Sequence, residues 1–211
     1  MRRITIPALL ADRPQWEAFV QDLRQGGVAA LPTDTVYGLA ADATSSQGVQ
    51  AIYEMKGREE GKPLILFLAE TDQLGELGIR PDAVQAKLLS TFWPGPLTAV
   101  FPTPAEWQVR FPFPSLGIRV PDHPEVRTLL AAYPGFLLTT SCNKSGQPPL
   151  MDPDAIAGEF AGSLAWLLDG GPLVPSPPST VLDLTASPPR ILREGCLTRA
   201  MLAASGIFGN A

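Results

Sequence analysis

Short apolar runs alternate with stretches of helical periodicity along this chain, and that alternation constrains the fold more than any other feature. Residues 28–31, 64–68, 97–101, 116–120 and 136–140 read as buried strands, with further strands at 164–168, 181–184 and 191–193. Between them lie helical signals. Asp12 is placed to cap a helix with Pro14 in its first turn, and Trp16, Phe19, Val20 and Leu23 recur at helical spacing until Gly26. Further helices are expected over 46–55, from Pro81 until Pro94 ends it, and over 124–132, 154–160 and 198–204. Strands interleaved with helices predict one α/β domain over 1–211, a twisted mixed sheet with flanking helices. The hairpin-like spacing late in the chain makes part of that sheet antiparallel. In such sheets ligands gather in a cleft at strand ends.

Composition supports a turn-rich globular chain. Of 211 residues, 19 are Gly and 23 Pro, while 45% are apolar. No run of eighteen apolar residues exists, which excludes a transmembrane helix and a membrane partner of that kind. The N-terminal MRRITIPALLADRPQW has an apolar patch too short and interrupted for a secretory signal. Two cysteines make neither a disulfide framework nor a zinc site, so a reducing cytoplasm is the expected location. A single His removes metal motifs that need two, and no metal is assigned to protein side chains. A net charge of −5 argues against a generally basic nucleic-acid binder.

Four polar segments adjoin the apolar strands: PTDTVYGLAADAT, KGREEGKP, TSCNKSGQPP, and PSTVLDL with RILREG close behind. Lys56, Arg58 and Lys62 place three cations in seven residues, a suitable clamp for a polyanion. Glu59 and Glu60 make a solvated loop the competing reading. The run from Ser141 to Gly146 can offer backbone N–H groups to an anion or form an ordinary Asn/Ser/Gly turn. Thr33, Asp34 and Thr35 can bind a ligand or cap the following turn, and Ser179 and Thr180 can hold a ligand or satisfy a strand edge. There is no P-loop, no G-x-G-x-x-G and no G-x-S-x-G turn. His123, between prolines, reads as a surface or capping residue, and Cys142 has no His partner to activate it.

Taken in order, seven strings resemble the YrdC-like domain of the threonylcarbamoyl-AMP synthase family. They are PTDTVYGL (32–39), KGR with KPL (56–58, 62–64), WPGPLT (93–98), IRVPDHP (118–124), TSCNKSG (140–146), STVLDL (179–184) and RILREG (190–195). The resemblance is to the short form, without the extra C-terminal domain of longer members. It implies a YrdC-like fold and a nucleotidyltransferase that turns L-threonine, bicarbonate and ATP into threonylcarbamoyl-adenylate and pyrophosphate. That reaction is the first step of the t6A modification of tRNA. It implies Thr35, Arg119, Ser141 and Ser179 on threonine, and Arg58, Lys62, Ser115, Asn143 and Arg193 on the nucleotide. Lys56 and Arg58 would be the catalytic cations facing the phosphates. Mg2+ bridging phosphate oxygens is implied too, as are tRNA and downstream threonylcarbamoyl-transfer proteins as partners. Such chemistry needs in-line alignment and charge neutralisation more than covalent help, which suits a chain without a His base or Cys nucleophile. Phe67 stands where many relatives carry His, Met151 where Ser or Thr is frequent, and Cys142 where Ala is commoner.

The alternative is a non-catalytic RNA-binding or ribosome-associated module on the same fold. A concave face with Lys56, Arg58, Lys62, Arg110, Arg119 and Lys144 would then hold a phosphate backbone.

Overall fold

The computed structural model describes residues 1–57, 63–108 and 113–208. Its strands are β1 (Arg2–Ile4), β2 (Ala29–Leu31), β3 (Gly38–Asp42), β4 (Ile65–Phe67), β5 (Leu97–Pro102), β6 (Ser115–Arg119), β7 (Leu137–Ser141), β8 (Trp166–Leu168), β9 (Thr180–Asp183) and β10 (Arg190–Arg193). Its helices are α1 (Ile6–Ala11), α2 (Arg13–Arg24), α3 (Ser46–Lys56), α4 (Ala83–Phe92), α5 (Pro124–Ala132), α6 (Pro153–Glu159) and α7 (Arg199–Ala203).

The helix starts follow local chemistry. Asp12, Ser45 and His123 each accept a backbone N–H from three residues on, which satisfies an otherwise orphaned donor in the first turn. At its other end α3 closes on Gly57, whose φ of 56° is left-handed backbone that costs glycine little. Three elements escape the sequence reading. β3 is buried at every position, so it lacks the alternation that marks a half-exposed strand. α1 and β1 are short, six and three residues, below the length at which periodicity speaks.

All these strands join one mixed sheet in the order β1-β8-β2-β3-β7-β4-β6-β5-β9-β10. Neighbours are parallel at β1/β8, β8/β2, β4/β6 and β5/β9 and antiparallel at the other junctions, including the β9/β10 hairpin. One face carries Leu39, Ala41, Leu66, Ile118, Leu138 and Leu182 into the larger core, against Ile52 of α3 and Leu88 and Leu89 of α4. The opposite face is treated unevenly. Over β8, β2 and the near end of β7 it presents Trp166, Leu168, Ala29, Leu31 and Leu137, packed under α1, α2 and α5. There Phe19 meets Trp166 edge-on, ring centroids 5.5 Å apart. Across β4, β6, β5 and β9 the same face opens into a hollow.

Candidate functional site

The hollow holds about 240 Å³. Its floor follows from the two-residue period of a strand. Ser115, Gly117 and Arg119 of β6, Thr139 and Ser141 of β7, Thr98 and Val100 of β5, and Ile65 and Phe67 of β4 all point to it. The hollow therefore lies across the face of the sheet, with strand ends forming its rim. Gly117 keeps the middle clear. A Cβ there would sit 3.4 Å from Thr98 Cγ2 and 3.8 Å from Ile65 Cγ1. Ser115 and Arg119 stand at opposite ends of β6, roughly 13 Å apart at about 3.3 Å per residue.

At one end the Arg119 guanidinium is buried and fully oriented. It donates to Gly95 O at 3.0 Å, Thr35 Oγ1 at 2.9 Å and Asp34 Oδ1 at 2.6 Å, and lies 6.0 Å from the Phe67 ring centroid. The turn carrying Asp34 and Thr35 is set by Thr33, whose hydroxyl donates to Val36 O and accepts from the N–H groups of Thr35 and Val36. These three bonds use the Thr33 hydroxyl's proton and both its acceptor sites, and the Thr35 hydroxyl lies 3.1 Å from it. Gly95 must be glycine, since a Cβ would fall 2.5 Å from Phe92 O.

Across β5 from Arg119, Ser179 Oγ lies 2.9 Å from Thr98 Oγ1, and Arg193 Nη2 donates to Ser179 O at 2.8 Å. Two segments are stitched together here. Cys196 N donates to Pro178 O, and the Thr180 hydroxyl accepts from Gly195 N and Leu197 N while donating to Leu197 O. Gly195 passes so close that an added Cβ would come 2.0 Å from Pro178 O.

Burial lowers the pKa of both arginines. Asp34 opposes that shift at Arg119, while the charge of Arg119 lowers Arg193 further. Guanidinium stays protonated regardless. Two cations with Asp34 as their carboxylate leave the hollow electrostatically ready for an anion.

Lys56 and Asn143 stand behind the wall instead of lining it. The buried Lys56 ammonium donates to Ser141 O at 2.6 Å, Asn143 O at 2.8 Å and Asn143 Oδ1 at 3.2 Å. The Asn143 amide donates to Lys144 O and Gln147 O, and its oxygen also accepts from Ser141 Oγ at 2.5 Å. Both were expected on the phosphates or nucleotide. Here burial and these carbonyl partners turn them inward, and only Ser141 of the trio reaches the hollow. Arg58 and Lys62, the other expected phosphate contacts, lie outside the described residues, as does Arg110. Cys142 is fully buried, and that burial pushes its thiol up to about 12, consistent with an inert core residue.

Six of the expected residues thus converge on one hollow: Thr35, Ser115, Arg119, Ser141, Ser179 and Arg193. Sequence reasoning passed over the floor residues Thr98, Gly117 and Thr139. Their signal was a small or polar residue at every second position of an otherwise apolar strand. As for a metal, no cluster of three His, Cys, Asp or Glu suited to one occurs among the described residues. The carboxylate at the hollow, Asp34, is engaged by Arg119.

Fold and hollow together define an α/β protein with two arginines and a row of hydroxyls around a hollow on one sheet face. The Sua5_yciO_yrdC family profile, described as "Telomere recombination", matches residues 21–195. The chain belongs to this Sua5/YciO/YrdC family. It is 35% identical over 200 residues to the threonylcarbamoyl-AMP synthase of Bacillus subtilis (strain 168), covering 93% of this chain and 58% of that protein. With the threonylcarbamoyl-AMP synthase of Chromohalobacter salexigens it shares 37% identity over 167 residues, 78% of this chain and 90% of that one. The crystal structure of Pyrococcus abyssi Sua5 complexed with L-threonine superposes with a TM-score of 0.82 at 32% identity, covering 94% of this chain and 58% of that chain. The chain thus spans little more than half the length of several relatives it matches.

Proposed function

We propose that this chain is a threonylcarbamoyl-AMP synthase, a nucleotidyltransferase that joins L-threonine, bicarbonate and ATP and releases pyrophosphate. The observation that carries the reading is the pairing of Arg119 and Arg193 across a hydroxyl-lined hollow, in a chain of this family. Arg119 offers a fixed fork for an amino-acid carboxylate, with Thr35 beside it. Ser141 and Ser179 supply hydroxyls for the amine and side chain. The nucleotide lies toward Ser115, with Val100, Val181 and Leu192 giving an apolar surface for a base and Arg193 standing between it and the Arg119 end. The span along β6 suits a threonyl group at one end and an adenylate at the other.

The neutral threonine amine adds to CO2 with loss of a proton, or condenses with bicarbonate with loss of water, to give a carbamate, whose oxygen attacks the α-phosphorus as pyrophosphate leaves. The residues contribute alignment and charge neutralisation, the terms that dominate phosphoryl and nucleotidyl transfer. Arg58 and Lys62 are assigned to the phosphates by resemblance. Mg2+ enters with ATP, held by phosphate oxygens, and no protein carboxylate is assigned to it. The reaction belongs in the cytoplasm with tRNA and the proteins that consume the adenylate.

The RNA-binding alternative is not favoured. Of the cations it needs, Lys56 and Arg119 are buried and Lys144 pairs with Glu159 at 2.5 Å. Pyrophosphate release tests the proposal: it should require L-threonine and bicarbonate together, with D-threonine inert. Arg119→Ala should lower kcat/KM tenfold to a hundredfold or more, since a charge-assisted contact is worth about 1.5–3 kcal/mol. ATP turnover indifferent to threonine would end the assignment.

A further inference from the structure

We propose that Lys56 is a positioning residue, whose ammonium fills a cage of carbonyl oxygens and so fixes the loop that presents Ser141 to the substrate. The inference rests on the reading of the hollow as an amino-acid site. Lys56 is the last residue of α3, and it grips the 141–145 loop from two directions. Among the described residues its ammonium donates to Ser141 O, Asn143 O and Asn143 Oδ1. Its own carbonyl accepts from Ser145 N at 2.7 Å. The residue is 4% exposed, so these bonds form in low dielectric, where each is stronger and an orphaned carbonyl is costly.

The cage sets a chain of orientation. With Lys56 on Asn143 Oδ1, that oxygen also receives the Ser141 hydroxyl, and the Asn143 amide donors are turned to Lys144 O and Gln147 O. The Ser141 side chain, facing the hollow, is thereby held in one rotamer before substrate arrives. An ammonium ringed by carbonyls at 2.6–3.2 Å also has the size and charge of a free ammonium or potassium ion. Removing the side chain should leave a vacancy that such an ion can occupy.

The experiment uses the full chain as Lys56→Ala and Lys56→Arg. L-threonine binding is measured without nucleotide by calorimetry, and amide exchange over 141–147 by mass spectrometry. Lys56→Ala should lose tenfold or more in threonine affinity, and the loop amides should exchange at least tenfold faster. Ammonium chloride at about 100 mM should restore both, while sodium chloride or tetramethylammonium chloride at equal ionic strength should not. Lys56→Arg keeps the charge, but its planar fork fits the cage poorly. It should stay folded and show the same threonine defect, which decides the matter if Lys56→Ala does not fold. Wild-type threonine affinity in Lys56→Arg, with only nucleotide binding or turnover reduced, would overturn the proposal and make Lys56 a direct phosphate ligand. If the wild-type chain binds no threonine, the functional reading fails, and loop exchange with ammonium rescue still tests the cage by itself.

Discussion

One sheet face carries two environments. Under α1, α2 and α5 it is paved with Trp166, Leu168, Leu31 and Leu137 and sealed by Phe19, Leu23 and Leu129. A few strands away it shows Thr98, Ser115, Thr139 and Ser141, and among the described residues no helix covers it. β7 crosses the border, changing from Leu137 to Thr139 within one period of the pleat. Burying an apolar side chain of this size is worth roughly 1.5–3 kcal/mol, so the sealed half supplies stability. The open half gives up that burial and carries hydroxyls bonded to neighbouring polar groups, as Thr139 is to Ile65 O at 3.1 Å and Thr98 to Ser179 at 2.9 Å. Stability and ligand capacity are thus divided between halves of a single surface.

The largest effect should come from the sealed half. Phe19→Ala should cost about 3–5 kcal/mol by urea denaturation while leaving threonine affinity of the folded fraction unchanged. A parallel loss of affinity would break the division. Next, Gly117→Val makes the open half resemble the sealed one. It should reduce ligand binding by about a hundredfold, about 2.7 kcal/mol, with the thermal midpoint held or raised. Thr139→Val is smaller: about 1 kcal/mol of stability, from one lost hydrogen bond and the Ile65 carbonyl left without it. Smallest at neutral pH is Cys142→Ala, yet it sharpens the border. Burial raises the thiol from an ordinary 9.0 to about 12, so the folded state holds its proton longer than the unfolded one. The thiol's contribution is complete below pH 9 and is lost between pH 9 and 12. Cys142→Ala should fall less steeply than wild type across that window, by at most about 1.4 kcal/mol per pH unit.

Much of this architecture was legible. The strands over 97–102, 115–119 and 137–141 and the helices over 46–56 and 124–132 matched their apolar periods to within a residue or two. β3 was hidden because burial on both faces erases alternation, and the polar PTDT before it suggested a loop. At the site, residue type was readable and direction was not. Lys56 and Arg119 look alike in sequence as cations beside glycine or strand. Only packing shows that one turns its charge behind the wall while the other brings a charge already shared with Asp34 to the hollow. The floor glycine was invisible for another reason: its contribution is the volume it leaves empty.

The seam between Pro178 and Gly195 has a consequence for the hairpin beyond it. Because 178–180 and 195–197 are fastened by Cys196 N on Pro178 O and by the Thr180 hydroxyl on the backbone of 195 and 197, Ser179 and Arg193 are registered at the base of the β9/β10 ribbon and not at its tip. Residues 184–189 can then be lengthened, shortened or exchanged with the mouth of the cavity left where it stands, whereas a single methyl group at position 195 would pry it apart.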